Sequence, residues 1–286
     1  MRNTLAVAGK ELRAYFHSPI AYLVMTIYAV LCGYFFSVIT SSYLNLSFRM
    51  TMMGQGSPSV SLNEMIIRGM LEGVLTVVLL LLIPLITMRL FAEEKRSGTM
   101  ELLLTSPLTD LEIILGKFLG ALGLYLVLIL ITFFYIGILF VYGTPSAKPV
   151  LANVIGLVLY GGALLALGMW FSTFTKNQII AGSIGLAAFL LLYVLDWVTE
   201  YSNSTTRSVI AYMGFRTHFD SFAKGVLDLK DVVFYVSVIT LGIFLTARSV
   251  EALKGRPLRA VGSRQKAVGR SEKEPEVRSQ KSGAGR

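Results

Sequence analysis

Long stretches of this chain carry no Asp, Glu, Lys or Arg: residues 18–48, 73–88, 118–147, 149–175 and 177–195. A helix needs about 20 mostly apolar residues to cross ~30 Å of hydrocarbon, so these runs are of spanning length or close to it. Strands of a membrane barrel would be about 10 residues long and would alternate apolar with polar side chains, and no such alternation occurs. Hydrophobic residues make up 54% and charged residues 15% of the sequence, against roughly 45–50% and 25% in soluble domains. The fold class expected is an all-α integral membrane protein.

The pattern predicts six transmembrane helices, at about 20–41, 69–90, 113–142, 151–173, 178–198 and 231–247. Ahead of them, residues 3–17 place Leu5, Ala8, Leu12, Tyr15 and Phe16 on one helical face and Lys10, Arg13 and His17 on another, as in an amphipathic helix lying in the membrane interface. Ser18-Pro19 marks the break into the first span. That span is too long for the apolar core of a cleaved signal and reads as an uncleaved anchor. Residues 42–67 and 199–230 read as polar connections, the second with Phe219, Phe222 and Val226 spaced for one apolar face. Asp196, Trp197 and Tyr201 suit an interfacial end of the fifth span. The organisation expected is a six-span domain over residues 1–250 and a basic tail over 251–286, whose ten Lys or Arg and four Glu, with few large apolar residues, predict disorder.

With six spans both termini share a side, and that side collects 19 of the 26 Lys and Arg, against seven opposite. The positive-inside rule places both termini in the cytoplasm. The tail supplies most of this asymmetry, and with it attraction to anionic membrane lipids is a simpler origin of the net charge of +9 than nucleic acid.

The chemistry legible in the spans is sparse. No G-x-x-x-x-G-K-[ST] loop occurs, so the chain lacks that route to nucleotide hydrolysis. His17 and His218 fall on opposite sides, no H-E-x-x-H occurs, and Cys32 is the one cysteine, so neither a catalytic constellation nor a cofactor or metal set is expected. Glu72 and Asp196 read as charges at span ends rather than as ion-coupling groups. A transporter built this way must be driven from outside the chain.

The informative segment is FAEEKRSGTMELLLTSPLTDLEIILGK, residues 91–117. Glu93, Glu94, Lys95 and Arg96 end the second span in water. Ser97-Gly98-Thr99 breaks the helix, and Ser97 or Thr99 caps a new short helix over Met100–Leu104 that presents Leu102, Leu103 and Leu104 beside Glu101. Thr105-Ser106-Pro107 ends it, and Thr109 or Asp110 caps the third span. Such a helix serves equally as a docking knob for a soluble partner or as a surface helix on lipid.

EEKRSGTMELLLTSPLT followed by a span resembles the loop between the second and third spans of ABC-2 type permeases, where the family's cytoplasmic coupling helix meets the nucleotide-binding subunit. THFDSFAKGVLDLKDVVFYVSV, residues 217–238, and the N-terminal KELRAYFHSPIAY resemble the gliding-motility and nitrous-oxide-cluster branch of that family. The resemblance implies the permease subunit of an ATP-driven exporter in a plasma membrane, paired with a second permease copy or paralogue and docked on a separate ATP-binding subunit. It implies that Glu93, Glu94, Arg96, Gly98, Thr99, Met100, Glu101, Leu103 and Leu104 form the docking site, with Met100, Leu103 and Leu104 as apolar anchors. It also implies that 199–230 lies outside the cell and is partly helical. Bare apolar spans favour an amphipathic, lipid-linked or polymeric cargo. The alternative is a non-transporting component of an ATPase-driven assembly or mechanical machine.

Overall fold

The computed structural model describes residues 2–54, 63–104, 107–142, 145–201 and 214–253, with the side chains of residues 63, 64, 101, 104 and 197–201 outside the description. The described residues are almost entirely helical, and no strand occurs among them. Helix α1 spans Arg2–Phe16 and α2 spans Pro19–Met52. A π-helical segment, Asn63–Leu75, leads into α3, Thr76–Thr87, and α4, Arg89–Ser97. There follow α5, Met100–Leu104, α6, Asp110–Tyr142, α7, Ala147–Ser172, α8, Gln178–Tyr201, α9, Phe215–Ala223, and α10, Leu229–Leu253. Six helices are long and apolar enough to cross a membrane: Pro19–Met52, Met65–Ser97, Asp110–Tyr142, Ala147–Ser172, Gln178–Asp196 and Leu229–Leu253.

Ser18 starts α2 as expected. Its hydroxyl accepts a hydrogen bond from the Ile20 N–H at 3.4 Å, and Pro19 sits at the first position, where no amide proton is required. Helix α2 then continues to Met52, through residues 42–52 that the sequence assigns to a loop. The Ser42 and Thr51 hydroxyls bond back to the Val38 and Ser47 carbonyls at 2.9 Å each, and so spend their polarity inside the helix rather than in a turn. Residues 55–62 of that expected loop lie outside the described residues, as does the tail from residue 254, and residues 63–67, its expected end, already belong to the π-helical segment that leads into the second span. Residues 251–253, placed in the tail by sequence, are the last turn of α10.

Between membrane helices the lipid removes most of the hydrophobic driving force, and packing rests on small residues and interhelical hydrogen bonds. Both are present. Tyr28 and Thr132 share a 2.6 Å hydroxyl bond between α2 and α6, and Tyr125 donates to the Leu157 carbonyl at 2.6 Å between α6 and α7. Helix α1 follows α6 in the same sense: Asn3 reaches Glu112 at 3.2 Å, Val7 lies against Gly116, and Glu11 against Gly120. A β-carbon at Gly116 would meet that of Val7 at 2.6 Å, and one at Gly120 would meet that of Glu11 at 2.6 Å, so glycine is what allows the approach. The face of α1 that docks is therefore Thr4, Val7, Ala8, Glu11, Leu12 and Tyr15. Leu5, which the sequence groups on one apolar face with Ala8, Leu12 and Tyr15, does not join this contact and is 66% exposed.

At the opposite end, α9 tucks its Phe215, His218, Phe219 and Phe222 into the bundle. Tyr235 donates to the Phe215 carbonyl at 2.6 Å, Asn153 to the Ala223 carbonyl at 3.3 Å, and Arg68 to the Asp220 carboxylate at 2.7 Å. Val226, expected on the same apolar face, is exposed. The helix stops at Ala223, and Gly225, with φ of 81°, turns the chain away before Val226 is reached. Asp196 is buried at this end and accepts from the Arg216 N–H at 2.9 Å; the side chains of Trp197 and Tyr201 lie outside the described residues.

Candidate functional site: the α4–α5 knuckle and its anchorage

The helix that begins in the π-segment leaves the apolar run at Met88. Apolar composition gives way there to RLFAEEKRS, and Arg89 and Glu93, one turn apart in α4, pair at 3.1 Å. Gly98 ends α4 in the left-handed conformation, with φ of 74°, the region that a side chain makes costly. Ser97 and Thr99 exchange a hydroxyl bond at 2.8 Å across that turn, and the Leu103 N–H donates to the Thr99 carbonyl at 3.0 Å to close the first turn of α5. The short helix thus stands where the sequence expects it, separated from α4 by the turn at Gly98.

Its faces are divided unequally. Met100 is 6% exposed, and Leu103 is half-buried against the core of the same chain. Leu102, absent from the expected docking set, is 72% exposed. Met100 and Leu103 therefore hold α5 onto its own bundle, and Leu102 is the apolar side chain that it turns outward. Glu93, Arg96, Gly98 and Thr99 are exposed on the same knuckle. The side chains of Glu101 and Leu104 lie outside the described residues.

Glu94 faces inward. Lys117 of α6, 1% exposed, places Nζ 2.7 Å from a Glu94 oxygen and 3.0 Å from one of Glu11 in α1, and the ammonium lies 5.3 Å from the centre of the Phe91 ring. Charges held away from water cost several kcal/mol each unless paired, so this cluster is stable only with all three helices in register. Lys95 donates to the Thr173 carbonyl at the end of α7. Tyr15 of α1 donates to the Ile86 carbonyl at 2.8 Å, with the Arg89 guanidinium 4.7 Å from its ring centre. Burial pushes the Tyr15 phenol far above its ordinary range, which keeps it a donor at any physiological pH. Thr109 caps α6 in a reciprocal arrangement: its N–H donates to Glu112 at 3.0 Å, and the Glu112 N–H donates to the Thr109 hydroxyl at 3.3 Å.

The sequence brings Glu93 to Leu104 to notice as one contiguous segment. It gives no sign of Glu11, Tyr15 or Thr173, each of which lies more than seventy residues of chain from its partner here, or of Lys117, which meets Glu94 from the next long helix. The one available signal is that Lys117 borders the 30-residue uncharged run on one side and sits among apolar residues on the other. Among the described residues, no group of three His, Cys, Asp or Glu could hold a metal ion. The arrangement links α5 through Gly98 and α4 to Glu94, which shares one ammonium group of α6 with Glu11 of α1.

In comparison with known proteins, the model described as ABC-2 family transporter protein matches residues 5–205, a stretch that contains most of α1 and the whole knuckle. No curated protein matches.

Proposed function

The chain belongs to the ABC-2 family of transporter proteins, and from that premise we propose that it is the permease subunit of an exporter, driven by a separate ATP-binding subunit that docks on the α4–α5 knuckle. The family is a membrane component without a nucleotide-binding motif of its own, and it implies a partner ATP-binding subunit. The observation that carries the docking assignment is the pairing of the outward Leu102 with the buried Glu94–Lys117–Glu11 cluster. A knuckle that only rested on lipid would have no need to be tied by charge to two other helices.

In this reading Glu93, Arg96, Thr99, Glu101, Leu102 and Leu104 meet the partner. Gly98 sets the bend, and Met100, Leu103 and Glu94 hold the knuckle to the bundle. Closure of the partner on ATP moves α5, and the ion cluster transmits the movement to α6 and α1. A second permease copy completes the pathway, both termini face the cytoplasm of a plasma membrane, and the cargo is amphipathic, lipid-linked or polymeric. The segment 217–238 supports the gliding-motility and nitrous-oxide-cluster branch.

Reconstitution tests it. The chain alone in proteoliposomes is expected to hydrolyse no ATP, and the ATP-binding subunit encoded beside it is expected to co-purify with it and to hydrolyse ATP faster when bound. Hydrolysis by the purified chain alone, or a partner subunit that ignores it, would overturn the assignment.

A further inference from the structure

Docking α1 on α6 leaves its other face open, where Leu5, Ala6, Gly9, Lys10, Arg13 and His17 are exposed. A β-carbon at Gly9 would meet nothing within 4 Å, so the middle of this face is unobstructed. Glu11, the one acid of α1, points away into the Lys117 cluster, with only a 3.8 Å approach from Lys10. Arg13 and His17 have no carboxylate partner among the described residues. Lys10, Arg13 and His17 stand at i, i+3 and i+7, a single stripe of donors along this face.

The position of this face says what can lie on it. Helices α1 and α2 run in the same sense along α6: Val7 lies at Gly116, Leu12 at Gly123 and Tyr28 at Thr132. The uncharged run of α6 begins at residue 118, so the end of α1 reaches the level where hydrocarbon begins, and Lys10 lies nearer the water. Three residues beyond His17, α2 opens an apolar stripe of Ile20, Leu23, Ile27 and Val30, all exposed in the chain. Basic donors at headgroup depth next to an apolar track match a molecule with an anionic head and acyl chains.

We propose that the open face of α1 binds an anionic phospholipid of the leaflet on the N-terminal side, its phosphate held by Arg13, Lys10 and His17 and its chains along Ile20 and Leu23. Arg13 offers the paired donors that suit a phosphate, Lys10 adds a point charge, and either ring nitrogen of His17 can donate. Bound there, the lipid braces α1 on the side opposite Gly116 and Gly120, and so bears on the helix that carries Glu11. This site is independent of whether the knuckle docks an ATPase.

The test is native mass spectrometry of the full chain, released from nanodiscs of equal phosphatidylglycerol and phosphatidylcholine, comparing the wild type with Lys10→Gln, Arg13→Gln and the double variant. The basic tail is common to all four, so it cancels. Wild type should retain phosphatidylglycerol over phosphatidylcholine, with retention falling about fivefold for each charge removed. Unchanged thermal melting in detergent would show that the variants remain folded, and Lys148→Gln at the opposite end should leave retention unaltered. Equal retention in the double variant, or no preference for the anionic lipid in the wild type, would overturn the proposal. So would displacement of the lipid by millimolar inorganic phosphate, which would make the basic stripe a free-anion site. Loss of a co-purified ATP-binding subunit with lipid retention intact would assign the face to protein and would equally overturn it.

Discussion

The ammonium group of Lys117 lies 2.7 Å from the carboxylate of Glu94, the lysine side chain buried and that of the glutamate mostly so. One α6 cation therefore neutralises the last turn of α4, with Glu11 of α1 as a second carboxylate at 3.0 Å. Removing only the cation strands two acids. Lys117→Met is expected to destabilise the chain by about 3–5 kcal/mol, the usual penalty for breaking a buried pair from one side. Thermal unfolding in detergent measures it, and Lys117→Met combined with Glu94→Gln and Glu11→Gln should recover most of the loss. A single variant as stable as wild type would show that the cluster bears no load.

On the knuckle, the exposure difference between Leu102 and Met100 separates two effects that the sequence runs together. Leu102→Ala should weaken co-purification of the ATP-binding subunit by more than ~1 kcal/mol, about fivefold, with melting unchanged. Met100→Ala should instead lower the melting temperature, since it empties a buried site. Glu101→Lys should release the partner. Gly98→Val, placed at a positive φ, should do so by misaiming α5. Should yield stay level across the Gly98, Glu101 and Leu102 variants, the docking assignment would fail.

Helix α1 depends on glycine for its seat. Gly120→Val places a branched side chain where the Glu11 β-carbon lies 2.6 Å from the position of a first carbon. The expected result is a displaced α1, read as faster trypsin cleavage after Lys10 and Arg13 with the six spans intact. Cleavage at the wild-type rate would mean that the approach adjusts without loss.

At the other end, Tyr235→Phe removes the donor to the Phe215 carbonyl, the first residue of α9. A buried hydrogen bond contributes about 1 kcal/mol, so hydrogen exchange across Phe215–Ala223 should quicken about fivefold while α6 and α7 stay protected. Uniform exchange in both proteins would contradict the tether.

Topology can be checked in a Cys32→Ser background, since the native cysteine is buried and is the one to be replaced. A cysteine at Ser97 should react with a membrane-impermeant maleimide only when the cytoplasmic side is opened, and one at Val226, exposed beyond α9, should react from outside. Labelling of Ser97Cys from outside would reverse the orientation and remove the knuckle from the ATPase.

The sequence by itself determined that this chain spans a membrane about six times, where the spans lie, and that residues 91–110 interrupt them with a capped turn. All three are local: hydropathy needs only a window of about 20 residues, a left-handed glycine needs only its own backbone, and the Thr109–Glu112 cap is written within four residues. What lay beyond reach was pairing across the chain. That Met100 turns inward and Leu102 outward, that Leu5 faces the open side of α1, that α2 absorbs residues 42–52, and that Lys117 is buried rather than snorkelling to water all depend on which helix lies alongside. Tertiary structure alone decided those points, because a buried charge or an apolar face is stable only beside its partner. The partners of Lys117, Glu11 and Glu94, are fixed by packing of α1 and α4 on α6 and not by anything within its own helix.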